Sequence, residues 1–171
     1  MLASINWPDK YLPGLTDNFC SNEIVVVNLP LRNFWDALRN AMIWPTYYSN
    51  SSDVSFEEKS REPYLYMGCK FSFKTFGFPI KAEIIEFVSP DEDKVARMSW
   101  HGWAEGDEDH RLDVVHAWLM EDLSKNRVRI LTQESQLGKP ARELAKEIPN
   151  PMINGHQAWL DGMKKYVSQS I

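Results

Sequence analysis

The chain has 171 residues, enough for one domain, and its 43% hydrophobic and 25% charged content is that of an ordinary globular protein. Net charge is −5 with Lys and Arg scattered, so the basic stripe that a phosphate backbone needs is missing, which argues against a nucleic-acid partner. Cys20 and Cys69 lack CxxC spacing, the first residues lack a basic-then-apolar leader, and no run approaches the roughly 20 apolar residues of a membrane span, so the expectation is cytoplasmic residence.

Residues 1–21 carry Pro8, Pro13 and Gly14 without periodicity and read as an N-terminal arm, with one domain over 22–171. Glu23 to Leu29 is rich in β-branched residues and reads as a strand. Pro30 opens a short helix, Leu31 to Met42, and Trp44-Pro45-Thr46-Tyr47-Tyr48 forms a second helical turn. From Asp53 to Gln136 the pattern is a meander of about six strands, with turns at 76–79, 89–92, 105–110 and 122–126. Lys139 onward is helical to about Gln169, broken at Pro149-Asn150-Pro151, where the second proline starts a new helix.

Period-two alternation sorts the strands into faces. Leu65, Met67, Cys69, Phe71 and Phe73 form one inner set; Ile80, Ala82, Ile84, Glu86 and Val88 form the next. Ala96, Met98, Trp100, Gly102 and Ala104 follow, then Leu112, Val114, His116, Trp118 and Met120, then Val128, Ile130, Thr132 and Glu134. Glu86, His116 and Glu134 stand where apolar residues are expected. Turn positions predict a transverse band of Phe73, Ala82, Trp100, His116 and Thr132/Glu134, with Glu86 roughly 13 Å from it.

Motifs recur in a telling order: Trp44-Pro45-x-x-Tyr48-x-Asn50, Gly68-x-x-Phe71-x-Phe73-x-Thr75-x-Gly77, Glu86-x-x-x-Pro90, Trp100, His116-x-Trp118, Thr132-x-Glu134-x-x-x-Gly138 and His156-x-x-Trp159-Leu160. From about residue 22 to 168 the chain resembles the START-like SRPBCC superfamily, in its polyketide cyclase/dehydrase branch. The resemblance implies an α+β helix-grip fold: about seven antiparallel strands wrapped around a long C-terminal helix, with two short helices after the first strand. It also implies a cavity between sheet and helix that takes lipid-, hormone- or polyketide-like molecules, but no single reaction.

His116 is the leading candidate for chemistry, because imidazole exchanges protons near neutral pH and Trp100 and Glu134 are its expected neighbours. The alternative is a core histidine hydrogen-bonded across strands. Glu134 and Tyr48 are the expected supporting groups, against the alternatives of a solvated strand end and a wall aromatic. Trp44, Phe71, Phe73, Trp100, Trp118, Thr132, Met152 and His156 are the expected substrate-binding residues. Met152, His156, Trp159, Met163 and Val167 recur at helical spacing on one face of the terminal helix. His101 and Trp103 fall on the outer face and His110 in an acidic loop.

There is no HExxH, no GxSxG and no glycine-rich phosphate loop, so neither metal nor cofactor is expected. Twelve per cent aromatic residues (seven Trp, eight Phe, six Tyr) exceed the needs of a core this size and suit a hydrophobic small-molecule ligand in an internal cavity of at least about 300 Å³. Two functions compete. One is a cofactor-independent cyclase, dehydratase or isomerase, lyase- or isomerase-like, acting on a small polyketide- or terpenoid-like metabolite. The other is a non-catalytic carrier or sensor of such a ligand. A protein-interaction module is a distant third. Oligomeric state is left open.

Overall fold

The computed structural model describes residues 1–91 and 94–170; residue 92, in the expected 89–92 turn, and residue 171 lie outside this range. Seven antiparallel strands form one sheet, in the order β1-β7-β6-β5-β4-β3-β2. They are β1 (Asn18–Val27), β2 (Ser51–Phe56), β3 (Lys70–Thr75), β4 (Phe78–Val88), β5 (Val95–Ala104), β6 (Leu112–Asp122) and β7 (Arg127–Leu137). Four α-helices among the described residues complete it: α1 (Leu31–Arg39), α2 (Trp44–Tyr47), α3 (Lys139–Lys146) and α4 (Pro151–Gln169). The α+β architecture and the order of elements are those expected. No helix among the described residues is long and apolar enough to cross a membrane.

Strand β1 begins at Asn18, five residues before the apolar run that marks it in the sequence. Asn18, Cys20 and Asn22 pair across to Gln136, Glu134 and Thr132 of β7, and all three side chains are buried. A polar alternation therefore does the work of a strand here, because its inward side chains find hydrogen-bond partners. At the other end of the sheet the expected 65–75 strand is shorter. Gly68 at φ +76° turns the chain, Met67 is exposed, and β3 starts at Lys70.

Registers on β6 are as expected: Trp100 faces His116, and His116 faces Glu134. Two other pairings differ. Phe71, not Phe73, faces Ala82, because the hairpin turn is centred on Phe76-Gly77; Ile84, not Ala82, faces Trp100. An irregularity between Ile84 and Glu86 reverses the face of β4. Glu86 accordingly leaves the inner face, where alternation placed it, and accepts hydrogen bonds from Ser99 Oγ (3.2 Å) and Asn6 Nδ2 (2.6 Å).

The outer face is strapped by the first residues of the chain. Arg129 donates to the Ala3 carbonyl (2.8 Å), Arg97 to that of Ser4 (2.7 Å), and the Tyr11 hydroxyl to Asp113 (2.7 Å). The inner face packs on α4, which buries Met152, His156, Trp159, Leu160, Met163 and Val167. The break at 149–151 is present; Asn150 caps α4 by accepting from Met152 N at 3.0 Å. Gly162 lets α4 come close to α2, since a Cβ there would sit 1.9 Å from the Tyr47 carbonyl oxygen.

Candidate functional site

Three strands and α4 bring six polar groups to the centre of the inner face, three of them from β7. Glu134 (β7) lies between His116 (β6) and His156 (α4): its Oε2 is 3.1 Å from His116 Nδ1 and 3.1 Å from His156 Nε2. Its Oε1 accepts from Gln136 Nε2 at 2.6 Å. His156 Nδ1 is 3.3 Å from Cys20 Sγ of β1, and His116 Nε2 is 2.7 Å from the Thr132 hydroxyl. All six residues are buried. The two imidazoles stack at 4.5 Å between centroids, and Trp100 lies 4.6 Å from His116.

Two rings this close do not both carry charge cheaply in a dry site. Burial and the neighbouring imidazolium push His116 down, to about 3, against the pull of Glu134. Burial also works against a charge on His156, but the Cys20 sulfur and the Glu134 carboxylate outweigh it and hold the group up, at about 10. Burial pushes the Glu134 carboxyl up; the two imidazoles and Gln136 more than offset this and keep it below the usual carboxylate range. These directions favour His156⁺ paired with Glu134⁻ beside a neutral His116 at neutral pH. The hydrogen bond that holds His116 is the one between its Nε2 and the Thr132 hydroxyl; its Nδ1 lies 3.1 Å from the Glu134 carboxylate.

His116, Glu134 and His156 also offer three ligand atoms within 4.8 Å of one another. The imidazole planes, however, lie within 19° of each other. Ring lone pairs lie in plane, and an ion between two stacked, nearly parallel rings would lie out of the plane of at least one of them. A chelate would need one ring to turn; the arrangement present is a hydrogen bond between His156 and Glu134.

A pocket reaches this cluster from the surface. Its wall includes Phe73, Ile80, Trp100, Leu112, Val114 and Trp159; its polar end is His116, Glu134, Gln136, His156 and Tyr48. Thr75, Phe76, Phe78, Leu144 and Met152 complete the lining. The mouth lies between the β3–β4 turn and the junction of α3 with α4, where Phe76 and Leu144 are half-buried. Asn50 shapes it twice, accepting from Phe76 N (2.9 Å) and donating to the Tyr48 hydroxyl (2.9 Å). Burial pushes the Tyr48 phenol up to about 12, and Glu134 adds to this, so Tyr48 keeps its proton.

The space enclosed is about 30 Å³, room for one or two water molecules and a tenth of the volume expected. Aromatic side chains fill the rest. Trp44 stacks on Trp100 at 5.6 Å and meets Trp159 at 5.1 Å; Tyr48 stacks on Trp159 at 4.4 Å. Of the expected site residues, His116, Glu134, Tyr48, Phe73, Trp100, Met152 and His156 line the pocket. Trp44, Phe71, Trp118 and Thr132 lie behind its wall. Cys20 and Gln136, which complete the polar cluster, escaped sequence reasoning. Gln136 continues the even-numbered inner row of β7, a signal that extending the row by two residues would have caught.

A seven-stranded antiparallel sheet gripping a long C-terminal helix, with a pocket between them, defines the START-like helix-grip class. Solved structures agree. Norcoclaurine synthase from Thalictrum flavum, in complex with dopamine and hydroxybenzaldehyde, superposes with a TM-score of 0.62 at 11% identity, over 99% of this chain and 96% of that one. Ara h 8.0201 superposes with a TM-score of 0.60 at 12% identity, over 89% and 99%. More specifically, the chain belongs to the family of hypothetical protein jhp0584 from Helicobacter pylori, whose crystal structure is 47% identical, with a TM-score of 0.93 over 98% of both chains. No protein-family model matches the chain, and no curated protein does.

Proposed function

We propose that the protein is a cofactor-independent catalyst of proton transfer, of the cyclase, dehydratase or isomerase kind, acting on a small apolar carbonyl compound. One observation carries this reading: a buried carboxylate hydrogen-bonded to a buried imidazole stands at the polar end of an otherwise apolar pocket. The Thalictrum flavum protein, a synthase of the same fold, holds dopamine and hydroxybenzaldehyde, an amine and an aldehyde, which supports carbonyl chemistry in such a pocket. The two thiols, Cys20 and Cys69, are free and suit a reducing compartment, in keeping with cytoplasmic residence.

In this reading Glu134 is the base, as the one carboxylate in the lining. It takes a proton from the carbon next to the carbonyl, and the electron pair moves onto the carbonyl oxygen. Tyr48 accepts from Asn50, leaving its own O–H free to donate to that oxygen, and His156⁺ supplies the balancing charge. A carboxylate held below its usual range is a weak base. The substrate is therefore one with an acidic C–H, such as a carbon flanked by two carbonyls, and polyketide-like molecules have this feature. His116, neutral and tied to Thr132, orients the carboxylate; the acid–base role expected of it passes to Glu134 and His156. A substrate larger than a few atoms enters as Phe76 and Leu144 part from α4.

The test is exchange of the acidic hydrogens of small 1,3-dicarbonyl compounds for deuterium, followed by mass spectrometry. Wild type should accelerate exchange, and Glu134→Gln should lose about 10²–10⁴ of that rate. Equal rates would overturn the reading. Tight binding without exchange would make the protein a carrier.

A further inference from the structure

Glu134 Oε1 terminates a line of side-chain amides that begins at the N-terminus of α4. Met152 N donates to Asn150 Oδ1 (3.0 Å), Asn150 Nδ2 to Asn18 Oδ1 (2.9 Å), Asn18 Nδ2 to Gln136 Oε1 (2.7 Å), and Gln136 Nε2 to Glu134 Oε1 (2.6 Å). Chemistry at both ends fixes the sense of every amide. A backbone N–H only donates, so Asn150 turns its oxygen to Met152; a carboxylate only accepts, so Gln136 turns its nitrogen to Glu134. The two constraints, met from opposite ends, agree at Asn18. Every dipole in the line points the same way, from the positive end of a 19-residue helix to a buried anion. Asn18, Gln136 and Glu134 are all buried, and hydrogen bonds aligned in this manner polarise one another.

We propose that Asn18, Gln136 and Asn150 are positioning residues that form a polarised amide relay, tying the charge on Glu134 to the seating of the α4 N-terminus. The inference rests on the site described above. It also places the control at the mouth, since Met152 lines the pocket and the segment after Leu144 leads into Asn150. The titratable groups facing Glu134 are His116 from β6, His156 from α4, Cys20 from β1 and Tyr48 from the segment after α2. None of them belongs to the relay, so changing a relay amide alters no neighbouring charge.

The experiment is an NMR titration of the Glu134 carboxyl carbon in the full-length chain. Gln136→Met, which removes the last link at similar volume, should raise the midpoint by about 1–2 pH units, the size of a lost charge-assisted hydrogen bond. Asn18→Leu, two links from the carboxylate, should raise it by about half as much. Asn150→Ser keeps an oxygen for the cap and removes only the donor to Asn18; it should raise the midpoint by about 0.3 unit and serves if Asn18→Leu does not fold. Asn22→Leu is the control. Asn22 is a buried β1 amide that also reaches α4, at the Ile153 carbonyl (3.1 Å), but lies outside the line. A midpoint unmoved in Asn18→Leu or Asn150→Ser, or moved equally in Asn22→Leu, overturns the relay. The readout needs no turnover. Shifts without deuterium exchange would remove the catalytic reading and keep the relay; exchange without shifts would do the reverse.

Discussion

Glu134 is hydrogen-bonded by Gln136 and His156 and lies 3.1 Å from His116 Nδ1, all three groups being buried, and this crowding explains why the two histidines are shifted in opposite directions. His156 is held up, so it gives stability that is full below the ordinary histidine value of about 6.5 and is lost as pH rises toward about 10. His116 is held down to about 3, so the unfolded chain gains a proton there first and stability falls as pH drops below about 6.5. Glu134, also held down, adds to the acid-side loss below its ordinary value of about 4.3. Urea unfolding should therefore give a stability maximum near pH 6–7, with limbs of up to about 1.4 kcal/mol per pH unit for each titrating group. His156→Gln should flatten the alkaline limb and His116→Phe the acid one; unchanged limbs would contradict the assignment. His116 and Glu134 were legible because each interrupts an apolar alternation, and His156 because it recurs on the buried helical face. Cys20 was not, since a cysteine three residues ahead of the expected strand carries no signal until the strand pairing puts it opposite Glu134.

At the scale of elements, two glycines on α4 set its distance from its neighbours. A Cβ at Gly162 would strike the Tyr47 carbonyl oxygen at 1.9 Å, and backbone cannot step aside. A Cβ at Gly155 would strike Phe76 Cζ at 2.2 Å, and a ring at the pocket mouth can swing. Gly162→Ala should thus cost about 3 kcal/mol or more, and Gly155→Ala about 1 kcal/mol with a loosened mouth, as read by thermal unfolding. Equal costs would mean that α4 shifts freely on α2. Strands, short helices and the proline break were legible from period and punctuation. Register was legible only near β6. Moving a hairpin centre from 77–78 to Phe76-Gly77 slides the pairing by two residues, and the irregularity at Ile84/Glu86 turns Glu86 outward; neither has a residue signature that alternation reads.

Across the whole molecule, aromatic side chains decide how much room the helix-grip leaves. Composition pointed to a cavity, but a ring that lines a void and a ring that fills it look the same in sequence. Here Trp44, Trp100, Trp118 and Trp159 pack into one another and leave about 30 Å³. Trp159→Ala should cost about 3–5 kcal/mol and open a void that indole refills, raising the melting temperature of the variant but not of wild type. No rescue by indole would mean that the interior collapses. The claim on which the functional account turns is that one proton resides on His156, paired with Glu134, while His116 stays neutral. Nitrogen-15 NMR of the imidazoles at pH 7 tests it directly. The account predicts both ring nitrogens of His156 protonated and only one of His116; a neutral His156 or a charged His116 would contradict it.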